Sequence, residues 1–218
     1  MRMTFDLTKP KGIRLASARY EHIERAAAEI LIICDVNIPI DPFYIADKMG
    51  IEVISYTALS NGNNRAYNLL LKKSKYAFTA KNEKHTIIYY NERQDEATIR
   101  NSIMHEIGHI TLGHKEETEV TEAEAKYFAK YICAPTCIAK ICHNYGLNIG
   151  QIFGIGDEAE RILLERISKT VNFLKISDHE IKLEEWFYSN TSIGLQIMNY
   201  KLQKHYKKHP QLFFNLPF

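Results

Sequence analysis

No apolar run in this chain approaches the ~18 residues of a membrane span, and the opening MRMTFDLTKPKGIR has no hydrophobic stretch that could serve as a signal peptide. The chain is therefore expected in the cytoplasm, without a membrane partner. Cysteine is scarce: Cys34, Cys133, Cys137 and Cys142 are too few and too clustered for a disulfide scaffold in 218 residues. They are expected as buried, unreactive thiols, and their spacings with His143 are not those of a zinc knuckle. An excess of one charge is missing as well, with 28 Lys and Arg against 26 Asp and Glu, so no global field recruits nucleic acid or an anionic membrane. The one basic stretch, KLQKHYKKH at 201–209, is expected to be a solvated helix face. What remains is an ordinary globular composition, large enough to bury a core without staples, in which clustered metal ligands serve function rather than stability.

Residues 17–36, SARYEHIERAAAEILIICDV, place Tyr20, Ile23, Ala27, Ile30 and Leu31 at helical spacing and predict a first long helix. Asp41 followed by Pro42 is a helix start, and Gly50 stands where a C-terminal cap would close, so IDPFYIADKMG is a short helix. From Ile51 the pattern changes to the β-rich runs IEVISY, AYNLLL, YAFTA and TIIYY, with SNGNN, KKS and KNEK as turns between them. Such short connections predict a small, mainly antiparallel sheet. Helical periodicity returns over about 95–113, 118–133, a segment to Gly146, and 157–168. Helices, a sheet and further helices make an α+β fold. Beyond residue 168 the chain carries its only tryptophan, Trp186, and no motif; this part is expected to pack on the core as an extension.

Residues 105–109 are HEIGH, inside the helical segment NSIMHEIGHITLG. Spacing of i and i+4 puts His105 and His109 on one face a turn apart, so both imidazoles can reach one cation while Glu106 acts on a water beside it. Ile99, Ile103, Ile107 and Ile110 form the core stripe of that helix, nearly opposite the histidines. A catalytic site of this type needs a third protein ligand. In the next helix, EVTEAEAKYFAKYIC, Glu122 shares a stripe with Ala125, Ala129 and Ile132 and is the expected ligand. Glu124, about 200° round the wheel among positions that look solvated, is the weaker candidate, and a salt bridge to a Lys or Arg is the structural alternative for Glu122.

HEIGHITLGH followed by EAEAKYFAKYICAP resembles the ImmA/IrrE family of zinc metallopeptidases, whose pattern is HExGH, a further Leu and His, then a Glu-x-x-Ala-Asn helix with Phe-Ala and a closing proline. IERAAAEIL, IPIDPFYIADKMGIEVI and TIIYYNE look like that family's N-terminal helices and first strands, and GLNIGQIFGIGDEAERILLERI like its closing segment. The resemblance covers about residues 20–167 and implies a metallopeptidase domain over 1–167 with an extension over 168–218. It implies Zn²⁺ on His105, His109 and Glu122 and a catalytic Glu106. It also implies a helix-turn-helix transcriptional repressor as substrate, cut to induce a mobile element or a stress response. One position departs: Lys126 stands where the family has Asn, and lysine cannot accept a hydrogen bond from a ligand imidazole. His114 occupies the family position of the second His but follows the helix stop at Gly113, which predicts a surface loop histidine. A strand such as TIIYY is expected to offer its edge to an extended substrate. No helix-turn-helix pattern is present, so DNA recognition is assigned to the partner. The competing function is a non-proteolytic regulator on the same fold that inactivates a repressor or antitoxin by contact.

Overall fold

The structure, a computed structural model, describes residues 13–82, 85–169 and 176–208, with side chains to residue 204. Helix α1 (Ser17–Cys34) buries Ile23, Ala27, Ala28 and Leu31 and is closed by Asp35 in the left-handed region, φ 50. Helix α2 (Pro42–Lys48) starts as its sequence predicts, with the Asp41 carboxylate accepting from the Phe43 N–H at 2.8 Å and Gly50 following at φ +67.

Strand β1 (Glu52–Ser55) leads into two short helices, α3 (Tyr56–Ser60) and α4 (Asn64–Lys73), before strands β2 (Ala77–Lys81) and β3 (Thr86–Tyr90). The run AYNLLL is therefore helical rather than a strand. Asn63, within the supposed turn SNGNN, caps α4 by accepting from the N–H groups of Arg65 and Ala66, and inward-facing Ala66, Tyr67, Leu70 and Leu71 recur at helical spacing. Leucine fits a helix better than a strand, and a good cap decided the matter. This insertion also changes the sheet. With α3 and α4 crossing between β1 and β2, β1 pairs parallel to β3 while β2 pairs antiparallel to it, in the order β1-β3-β2. The sheet is mixed, not mainly antiparallel. It also places TIIYY in the middle with both edges taken, so β3 has no edge for a substrate; β1 and β2 are the outer strands.

Helix α5 (Glu96–Thr111) packs against β2 and β3 on one side and against α6 (Glu119–Cys133) on the other. Asp95 caps α5 at the Thr98 N–H, 2.9 Å, and Thr118 and Thr121 form a capping box for α6. Arg100 on α5 donates to the carbonyls of Ile40, Phe153 and Gly154 at 2.9, 3.1 and 2.7 Å, fixing α5 to the loop before α2 and to the end of the short helix α8 (Ile149–Phe153). Helices α7 (Thr136–Asn144) and α9 (Asp157–Lys169) complete this part. Helix α10 (Asp178–Asn190) lies on α1 and α7, and α11 (Ser192–Lys208) lies on α10, so Leu183, Trp186, Phe187 and Ile197 share one apolar core with Ile23, Ile107 and Phe128. Of the basic stretch, residues 201–204 are exposed, with Lys201 Nζ 2.8 Å from the Tyr188 hydroxyl; the side chains of 205–209 lie outside the described residues. Among the described residues no helix is long and apolar enough to cross a membrane. The architecture is α+β.

Candidate metal centre

His105 and His109 leave α5 one turn apart with their Nε2 atoms 3.0 Å from each other. Glu122, in the first turn of α6, brings Oε2 to 3.4 Å from His105 Nε2 and Oε1 to 3.1 Å from His109 Nε2. A tetrahedral ion with ligand bonds of 2.0–2.1 Å requires donor atoms about 3.3 Å apart. The three donors stand at that spacing, and among the described residues this is the group of His, Cys, Asp and Glu side chains close enough to hold a cation. Burial pushes His105 down to about 4, helped by the neighbouring His109 and opposed by Glu122, and burial lowers His109 too. Both rings are thus neutral at neutral pH, the state in which an imidazole ligates.

The approach of α5 to α6 depends on the glycine of HEIGH. A Cβ on Gly108 would meet Phe128 Cδ1 at 2.9 Å and its Cβ and Cγ at 3.2 Å. Glycine lets the two ligand-bearing helices come this close. Gly108→Ala is expected to cost about 1–3 kcal/mol by overpacking, seen as a lower urea midpoint at unchanged slope. Metal affinity should fall with it, because the α5–α6 spacing sets the distance from the imidazoles to Glu122.

Glu106 faces the sheet side of the cluster, where the Thr79 hydroxyl on β2 donates to its Oε2 at 2.7 Å. Burial holds this carboxyl above the ordinary carboxylate range; the Thr79 hydrogen bond opposes the shift and the Glu122 charge adds to it. Thr79 had no mark in the sequence, because only strand pairing places it over the helix.

Two sequence expectations about neighbouring residues need correcting. Glu124 is not solvated: its side chain is 11% exposed, whereas that of Glu122 is 35% exposed. The helical wheel of α6 omits what covers it, namely Arg19 of α1, whose Nη1 pairs with Glu124 Oε1, and His114, whose Nε2 is 3.0 Å from Glu124 Oε2. Nor is His114 a surface loop residue. Gly113 at φ +68 turns the chain back so that the His114 N–H bonds to the His109 carbonyl at 3.0 Å, and the His114 ring, 7% exposed, rests edge-on against His109. A glycine one residue past a helix end and directly before a histidine is the signal that would have found it. Lys126 is 66% exposed and reaches Glu122 Oε2 at 3.9 Å rather than an imidazole.

The four cysteines are free and buried. Burial pushes Cys133 and Cys142 up to about 11 and raises Cys34 and Cys137 as well. The native protein at pH 8 is expected to consume no thiol reagent within minutes and to release four reactive thiols on unfolding; rapid labelling of the native state would contradict their burial. The open depression lined by Tyr20, Glu24, Tyr127 and Arg166 contains none of the cluster residues.

Comparison with known proteins adds one finding. The sequence profile of the peptidase family described as the IrrE N-terminal-like domain matches residues 46–161, which include β1 to β3, the HEIGH helix and Glu122. No curated protein and no solved structure matches the chain. Since the profile covers more than half of the sequence and contains the whole cluster, the chain belongs to the IrrE N-terminal-like domain family of peptidases.

Proposed function

We propose that the protein is a zinc-dependent endopeptidase of the HExxH type, acting in the cytoplasm on a helix-turn-helix transcriptional repressor. Family membership supports metallopeptidase-type function in general. The observation that carries the finer reading is the convergence of His105, His109 and Glu122 with Glu106 held beside them by Thr79. Zinc bound there supplies a Lewis acid that acidifies water and polarises a carbonyl. The donor set of two imidazoles and one carboxylate suits that ion, and three protein ligands would leave it open to a reactant.

The chain's own residues supply proton transfer and positioning. Glu106, oriented through Thr79 and raised in proton affinity by burial, takes a proton from the attacking water and passes it to the departing amine. The substrate strand lies along β2. Asn91 N–H bonds to the Tyr76 carbonyl at 2.7 Å and Asn82 N–H to the His85 carbonyl at 3.0 Å, so even-numbered β2 residues pair inward to β3. The backbone groups of Ala77, Thr79 and Lys81 therefore face the outer edge, where an extended peptide can pair with them. Thr79 then contacts Glu106 with its hydroxyl and its backbone N–H and leaves its carbonyl toward the outer edge, which couples alignment of the peptide to that of the base.

A dedicated regulatory protease cuts few sites, so the test uses a specific partner. The helix-turn-helix regulator encoded nearest this gene is co-expressed with wild type or with Glu106→Gln, and its intact mass is measured. One discrete cut with wild type and none with the variant is the expected result. An intact regulator that co-purifies equally with both forms would replace this reading with the non-proteolytic one, a binding protein on a peptidase scaffold.

A further inference from the structure

His114 and Glu124 are not among the three clustered ligand candidates, yet their side chains are 7% and 11% exposed and join the cluster in a line. His114 Nδ1 is 2.9 Å from His109 Nδ1, His114 Nε2 is 3.0 Å from Glu124 Oε2, and Glu124 Oε1 pairs with Arg19 Nη1. We propose that His114 and Glu124 are positioning residues, a relay that fixes the tautomer and ring orientation of His109, and that Arg19 anchors this relay to α1.

The proton positions follow from the partners. An ionised carboxylate only accepts, so the His114 nitrogen facing Glu124, Nε2, carries the hydrogen. Ligation through His109 Nε2 requires the hydrogen of that ring to sit on Nδ1, so His114 Nδ1 must be the accepting nitrogen. The 2.9 Å contact is then donated by His109 Nδ1, and His109 Nε2 is left with its lone pair free. That nitrogen is the one 3.1 Å from Glu122 Oε1 at the centre of the cluster. The opposite tautomer would aim an N–H at the ion. One carboxylate thus sets the ligating state of a ring two residues removed from it in the chain of contacts, as carboxylate partners of ligand histidines do in general. Arg19 keeps that carboxylate paired in a site where a lone charge would be costly. It belongs to α1, which precedes the family match, so the match does not include the last link.

This inference rests on the metal-site reading, and the test separates the two. Zinc affinity is measured by chelator competition on the full chain as wild type, Glu122→Ala, His114→Phe, Glu124→Leu, Glu124→Gln and the His114→Phe/Glu124→Leu double variant. His114→Phe and Glu124→Leu are each expected to weaken binding by about 10- to 100-fold. The double variant should lose little more than either, because the two act as one chain. Glu124→Gln, which still accepts from His114 Nε2–H, should retain most of the affinity. Long-range ¹⁵N–¹H spectra of the zinc-loaded wild type should show His109 protonated at Nδ1 and His114 at Nε2. If wild type binds zinc far better than Glu122→Ala while the His114 and Glu124 variants bind as wild type, the relay is overturned and the metal site stands. If wild type binds no better than Glu122→Ala, the metal site fails and the relay with it. A His114 ring protonated at Nδ1 in wild type overturns the relay even where a variant does not fold.

Discussion

Glu106→Gln is expected to lower the rate of peptide cleavage by roughly 10²- to 10⁴-fold, the usual contribution of a positioned general base, while zinc affinity stays within a few-fold of wild type. The two effects separate because Glu106 is not one of the three clustered donors. The amide keeps the shape of the carboxyl, and its carbonyl can still accept from the Thr79 hydroxyl that now bonds to Oε2 at 2.7 Å. What it loses is the ability to take a proton. Packing at the base of α5 should be unchanged, so the variant should also unfold at the wild-type urea concentration. Single-turnover cleavage of the partner regulator, followed by intact mass alongside zinc competition, reads both quantities on one preparation. A Glu106→Gln protein with full activity would sink the assignment of Glu106 as base.

Glu122→Ala acts on the other quantity. Structural zinc sites bind with about 10–16 kcal/mol over four ligands, so one ligand contributes on the order of 3 kcal/mol, and its loss weakens affinity by roughly 10²-fold. Cleavage at limiting zinc should vanish with it. The carboxylate is available to an ion in the wild type, since its other partner, Lys126, is mostly exposed and 3.9 Å away. An ion pair of that kind contributes at most about 1 kcal/mol and is easily displaced. The fold should tolerate the change, because Glu122 is only half-buried and the α6 capping box is made by Thr118 and Thr121. Retention of wild-type zinc affinity in Glu122→Ala would show that a different side chain completes the site.

The local parts of this protein were legible in the sequence because their causes are local. The cap at Asp41, the glycine stop at Gly113 and the apolar period of α1 lie within a few residues of the elements they define. The i, i+4 geometry of His105 and His109 is likewise internal to one helix, as is the adjacency of Glu106. The third clustered side chain, Glu122, was reached by a stripe argument whose premise the fold does not bear out. Ala125, Ala129 and Ile132 are fully buried, yet Glu122 lies at the margin of that stripe, and the buried carboxylate of α6 is Glu124.

What the tertiary structure alone decided is everything that depends on one element covering another. A wheel drawn on α6 cannot include Arg19, more than a hundred residues earlier, or the turn that folds His114 back under His109, so the burial of Glu124 was invisible. AYNLLL became α4 because Asn63 caps it, and that helical insertion changed the strand connection from a hairpin to a crossover. The crossover put TIIYY in the middle of the sheet and β2 on one of its two edges, where Thr79 meets Glu106. Periodicity and spacing determine which side chains one helix presents together, because a helix is built from contacts three and four residues apart. Which of those side chains are buried, paired or opposed to a partner is set by contacts distant in sequence, and these exist only once the chain has folded.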